Sequence, residues 1–192
     1  MRVTRQQARE NRSRVLRLAA QRFREKGLNG LGVAELMQEA GLTHGGFYKQ
    51  FSSKDELAAE ACAAAIADNL AAYQQLAKED PESLVPLVSS LISELHRNTP
   101  GDGCLLASLG ADIARSKKSV RSKVTDGVRK IVDCLSGWTP GRSKTLARRK
   151  AIATYTTVVG SLVVARAVDD PEFAREILKA ARESLAELHQ AG

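Results

Sequence analysis

The apolar residues of this chain recur three and four positions apart, and no stretch alternates strictly enough to read as a strand. Leu16, Ala19, Ala20 and Phe23 mark one helical face that stops at Gly27, and Val33, Leu36, Met37 and Ala40 mark a second that stops at Gly41. A long alanine-rich helix follows from Lys54 to about Lys78, through Leu57, Ala61, Ala64, Ala65 and Leu70. Asp80-Pro81 is a helix start, with Ser83 as the latest point for the regular helix to begin. Leu84, Leu87, Val88, Leu91, Ile92 and Leu95 then form the cleanest amphipathic stripe, read as one helix. Asn98 to Gly103 breaks it. Cys104–Arg115 and Lys118–Ser136 read as two more helices, the second with Val124, Val128, Ile131 and Leu135 inward, followed by a turn at Gly137-Trp138-Thr139-Pro140-Gly141. Residues 143–168 carry a face of Ile152, Tyr155, Val159, Leu162, Val163 and Arg166. Asp170-Pro171 opens the last helix, whose inward residues are Phe173, Ile177, Ala181, Leu185 and Leu188. The pattern predicts an all-α chain of about nine helices, three at the N-terminus and six behind them. The division expected is residues 1–54 and 55–192.

The stretch from Val33 to Glu56 is the most specific. Gly41 supplies positive φ to end one short helix, Leu42 packs inward, and Thr43 stands where it can cap a second carrying His44, Gly45, Gly46, Phe47, Tyr48 and Lys49. Two short helices around a tight turn make a helix-turn-helix, whose second helix enters the major groove of DNA. Ser53 and Glu56 form a capping box that opens the long helix at Lys54. Phe47 and Phe51 read as packing residues, which leaves Thr43, His44, Gly45, Tyr48 and Lys49 as candidates for contact with DNA. Two glycines lower helix propensity, and either close approach of backbone to a duplex or easier packing accounts for them.

Charge strengthens this reading. The 192 residues carry a formal net charge of +7. Residues 1–55 hold 11 Lys and Arg against 5 Asp and Glu, whereas residues 56–192 hold 18 against 17. Excess positive charge therefore sits with the helix-turn-helix, where phosphates would be neutralised. A solvated basic face is the plainer alternative. Arg2, Arg5, Arg9, Arg12 and Arg14 form a basic entry segment that reads equally as a phosphate-reaching arm or an unstructured end.

The string Gly41-Leu42-Thr43-His44-Gly45-Gly46-Phe47-Tyr48-Lys49-Gln50-Phe51, followed by Ser53-Lys54-Asp55-Glu56-Leu57, resembles the signature of the TetR/AcrR family of bacterial transcriptional regulators. The resemblance implies an N-terminal three-helix DNA-binding domain and a C-terminal six-helix ligand-binding and dimerisation domain. It places Tyr48, Lys49 and Lys54 near phosphates and leaves Thr43 and His44 as base readers of a palindromic operator in double-stranded DNA. It implies a homodimer formed by the last two helices, with Leu162 and Leu185 as candidate partner-facing residues and Gly160, Ser161 and Ala165 permitting close contact. It also implies an inducer cavity for a small-molecule effector, which Tyr73, His96, Cys104, Trp138 and Tyr155 could line. Each of those five is also a plain core or surface residue.

Cys104 stays open between two readings. At the first turn of its helix it occupies a position that heightens nucleophilicity, and the resembled family includes sensors of oxidants and electrophiles. Against this, free cysteine is among the most buried residue types, and Asp102 is close in sequence. Cys62, Cys104 and Cys134 form neither a metal-ligand spacing nor a disulfide framework, as expected of a cytoplasmic protein. No metal, cofactor or catalytic residue is expected, since His44, His96 and His189 sit in no catalytic motif. No apolar run reaches the roughly 18 residues of a membrane span. The function expected is a repressor released from its operator by a small molecule or reactive species; the alternative is an architectural helix-turn-helix protein without a ligand, which would have little need of the large near-neutral C-terminal part.

Overall fold

Thr4 opens the first helix of the computed structural model, which describes residues 4–81, 83–138 and 143–190. The Thr4 hydroxyl accepts from the Gln7 N–H, and α1 runs from Arg5 to Lys26. The basic entry segment is thus helical from Arg5 onward, not an extended arm; Arg2 and the turn at Thr139–Gly141 lie outside the described residues. Gly27 ends α1 with φ of 82°.

Helices α2 (Val33–Glu39) and α3 (His44–Phe47) follow. Between them Leu42 N–H donates to Met37 O at 2.8 Å and Gly41 N–H to Gln38 O at 3.0 Å. These are the two bonds of a Schellman motif, and they need the left-handed φ of 68° that Gly41 adopts. Helix α4 spans Lys54–Glu79 and starts at the expected cap, with the Ser53 hydroxyl accepting from Glu56 N–H at 3.1 Å. The reciprocal half of the capping box is displaced by one residue. Glu56 accepts from the backbone N–H and hydroxyl of Ser52, and these bonds hold its carboxyl below the usual range.

The stripe expected to form one helix over Leu84–Leu95 is two: α5 (Val85–Leu91) and α6 (Glu94–Asn98). Ile92 leaves helical geometry at ψ of 70°, and Ser93 turns extended and caps α6 by accepting from His96 N–H at 3.1 Å. Arg182 donates to the freed Ile92 carbonyl at 2.6 Å, which satisfies the break. Rotation past the break puts Leu95 in solvent, 74% exposed, while Ile92 stays buried. A 3-10 turn at Pro100–Asp102 leads into α7 (Leu105–Arg115), then α8 (Lys118–Gly137), α9 (Lys144–Ala167) and α10 (Pro171–Gln190).

Helix α4 packs chiefly on α8, and α9 on α8 and α10. The α4–α8 crossing is tight at Gly127, where a Cβ would lie 2.3 Å from Ile66 Cγ2. Inward residues of α8 are Val120, Val124, Ile131, Val132 and Leu135. Leu162 and Leu185, along with Ser161 and Ala165, are buried within the chain, so they do not offer themselves to a partner. The residues of α9 and α10 that do face outward include Ile152, Val163, Val164 and Phe173. Phe173 had been expected inside; Ala174 and Leu178 take that place on α10. Asp170 caps α10 as expected, accepting from Glu172 N–H at 2.8 Å and Phe173 N–H at 3.1 Å.

Candidate nucleic-acid interface and sensor cluster

Helix α3 is held from behind by aromatic packing. Phe47 and Phe51 are buried with ring centroids 5.5 Å apart, and the Arg12 guanidinium stacks 4.6 Å over the Phe51 ring while pairing with Glu60 at 2.7 Å. Arg12 is therefore a clamp between α1 and α4 rather than a free cation. With that side fixed, Thr43, His44, Gly45, Tyr48 and Lys49 all face solvent, Tyr48 being 65% exposed. Thr43 occupies the cap position, yet its hydroxyl makes no capping bond. His44 and Tyr48 meet edge to face at 5.8 Å, and Phe47 meets Tyr48 likewise at 5.2 Å. Lys54 stands half-buried in the first turn of α4.

The two glycines of α3 separate in role. A Cβ on Gly46 would make ordinary contact with Thr43 and Met37, at 3.5 and 3.6 Å, whereas one on Gly45 would meet nothing within 4 Å. Internal packing gives no reason for Gly45.

Behind this head the structure gathers three of the other four cavity candidates, His96, Tyr155 and Tyr73, around Cys104. Cys104 is the N-cap residue of α7, 1% exposed, and its backbone N–H donates to His96 Nε2 at 2.9 Å. That bond requires a lone pair on Nε2, so His96 is neutral with its proton on Nδ1. Burial lowers its pKa, and Arg166 and Arg24 push in the same direction. Gly103 packs tightly beside it: a Cβ there would lie 3.0 Å from His96 Nε2, so the imidazole would have to give by a few tenths of an ångström. Tyr155 and Tyr73 both stand close enough to Cys104, and to each other, for their phenols to feel the sulfur. Burial, then the neighbouring sulfur, raises both phenols well above their ordinary range. The Tyr73 hydroxyl is buried and has no hydrogen-bond partner among the described residues. An orphaned buried hydroxyl costs about 1–3 kcal/mol.

Trp138 is engaged elsewhere: its indole N–H donates to Asp80 O at 2.9 Å, about two turns beyond Tyr73 at the end of α4. Two arginines that periodicity did not assign to the cluster complete it instead. Arg166 donates to His96 O at 2.7 Å, Arg97 O at 3.0 Å and Ser108 Oγ at 3.1 Å, tying α9 to α6 and α7. Arg24 of α1 donates to Gly101 O at 2.6 Å, and burial lowers its pKa against the opposing pull of Asp102 and Asp68. The turn preceding Cys104 is thereby docked on the first helix of the head. Burial pushes the Cys62 thiol up to about 12 and raises that of the partly buried Cys134 as well. Among the described residues no group of three or more His, Cys, Asp or Glu is arranged to hold a metal ion, and no helix is long and apolar enough to cross a membrane.

An all-α chain whose second short helix presents polar side chains from an aromatic seat is a helix-turn-helix protein. Residues 15–61 match the model of the bacterial regulatory proteins of the tetR family. The HTH-type transcriptional repressor NemR of Escherichia coli K12 is 24% identical over 135 residues, a span of 66% of this chain and 66% of that protein. Its solved reduced form superposes with a TM-score of 0.76 at 20% identity, covering 93% of this chain and 96% of that one. A TetR-family regulator from Agrobacterium tumefaciens gives 0.74 at 20% identity, covering 92% and 98%. One from Legionella pneumophila gives 0.76 at 17%, covering 91% and 94%. Residues 15–61 thus match the tetR family of bacterial regulatory proteins, and the chain as a whole shares the fold of these solved regulators.

Proposed function

We propose that the chain is a homodimeric transcriptional repressor that binds a palindromic operator and leaves it when a reactive small molecule modifies Cys104. One observation carries the DNA half: Thr43, His44, Gly45, Tyr48 and Lys49 lie together on the exposed side of α3, and Phe47 and Phe51 fix that side in place. In this reading residues 1–54 are the DNA-binding unit and residues 55–192 the sensing and dimerising one. Thr43 and His44 read base edges, whereas Tyr48, Lys49 and Lys54 grip phosphates. Dimerisation uses the outward stripe of α9, where Ile152, Thr156, Gly160, Val163 and Val164 recur at helical spacing without a charged residue, extended by Phe173 of α10.

The sensing half rests on the cluster geometry. A peroxide oxidises the thiol by two electrons, forming one S–O bond and breaking the O–O bond, and the products are a sulfenic acid and water. The Tyr73 hydroxyl then has an oxygen to bond, and the crowded turn at Gly101–Gly103 must shift. Because Arg24 and Gly101 join that turn to α1, the shift reaches the head and alters the separation of the two recognition helices. A non-covalent ligand among the same side chains is the competing mode. Selection of operator duplexes from a random pool, followed by footprinting, tests the DNA reading. Two symmetric half-sites about one helical turn apart are expected; enrichment of no sequence over random would overturn the reading.

A further inference from the structure

The near-neutral balance of residues 56–192 conceals a local segregation. Between Arg115 and Lys130 there are seven basic residues against Asp126 alone. Most of them stand at the corner where α7 ends and α8 begins, with Arg115, Lys117, Lys118, Arg121 and Lys123 all exposed. Arg115 pairs with Asp112 and Lys117 with Asp55, but Lys118, Arg121 and Lys123 have no acidic partner among the described residues. Lysines at a helix start oppose its dipole, so the placement does not serve α8 itself.

Two contacts show where this corner lies. Lys117 Nζ meets Asp55 Oδ2 at 2.5 Å, in the first turn of α4 next to Lys54. Asp112 Oδ2 accepts from Leu28 N–H at 2.9 Å, in the loop between α1 and α2. The corner is also stiff, because Ser116 closes it with both its N–H and its hydroxyl on Ile113 O, at 3.0 and 2.7 Å. A basic ridge is thus mounted rigidly on the head-facing end of the C-terminal helices, beside the turn that carries Lys54. Exposed charges interact over roughly 10 Å at 0.1 M salt.

We propose that the α7–α8 corner, through Lys118 and Arg121, is a second DNA-backbone contact that grips phosphates adjoining those held at the start of α4. This rests on the reading of the head as a DNA-binding unit. It adds affinity without sequence preference, because phosphate contacts position a protein and base contacts specify. It also makes the sensing body, and not the head alone, part of the interface that must be vacated on release.

The test measures binding as a function of salt for wild type, Lys49→Ala and the double variant Lys118→Ala/Arg121→Ala. The probes are a mixed-sequence DNA duplex and the duplex recovered by selection. Each lost phosphate contact lowers the steepness of log K against log salt by about 0.9. The double variant is expected to lose about twice that on both duplexes, with its preference between them and its melting temperature unchanged. An unchanged slope in the double variant, with a reduced one in Lys49→Ala, overturns the corner contact and leaves head binding intact. Failure of wild type to bind either duplex overturns both.

Discussion

Gly45 is the residue at which, under the proposed function, folding and binding make opposite demands. An alanine there would gain helix propensity, worth about 0.5–1 kcal/mol, and would meet no neighbour inside the protein. Gly45→Ala is therefore expected to melt at the same or a higher temperature, yet to bind operator about tenfold more weakly, as loss of about 1.4 kcal/mol of contact requires. Anisotropy titration beside calorimetry checks this, and unchanged affinity would assign the glycine to folding history. His96 makes a second residue-level prediction. Its pKa is lowered in the folded chain, so between that value and about 6.5 the unfolded chain holds more protons and stability rises with pH. The contribution is complete above pH about 6.5 and is lost as pH falls through the lowered value, when Nε2 can no longer accept from Cys104. Melting temperature against pH should flatten in His96→Gln. Some of this was legible in sequence and some was not. Gly41, Ser53 and Asp170 act through neighbours within five positions, so the sequence announces them. Arg24 meets Gly101 across 77 positions, and no local pattern could join them. Trp138 lies apart from the Cys104 cluster because an indole needs only one acceptor, and the Asp80 carbonyl supplies it.

At the scale of elements, periodicity located helices well and their phases less well. The stripe from Leu84 to Leu95 has the spacing of one helix, but a two-residue break at Ile92–Ser93 keeps Ile92 inside and turns Leu95 out. Spacing alone does not report such a break, because the serine cap and the Arg182 bond that stabilise it come from outside the stripe. The same ambiguity affects α9, where apolar residues surround much of the helix. Burial divides them: Leu162 and Ala165 belong to the core, and Val163 and Val164 remain for a partner. Val163→Glu should then give a folded monomer by analytical ultracentrifugation, with loss of binding to a full palindrome. Leu162→Glu should instead unfold the chain, since a carboxylate would be placed in a fully buried site. Intact dimers in Val163→Glu would move the interface elsewhere.

Across the whole molecule, the polar links between head and body among the described residues include Arg24 to Gly101, Leu28 to Asp112 and Arg12 to Glu60. The first lies directly before Cys104, so events at the thiol have a short mechanical route to α1. Arg24→Ala should leave binding by the untreated protein within a few-fold of wild type while blunting its response to the effector. A gel shift before and after treatment reads this, and a full response in Arg24→Ala would mean the signal travels by another route.

The most direct test treats the operator complex with dilute peroxide, for wild type and Cys104→Ser side by side, and follows DNA release together with the mass of the Cys104 peptide. Release by wild type alone, at the same dose that adds oxygen to Cys104, is the predicted result. Equal release by both proteins, or none by either while the cysteine is oxidised, would contradict the account.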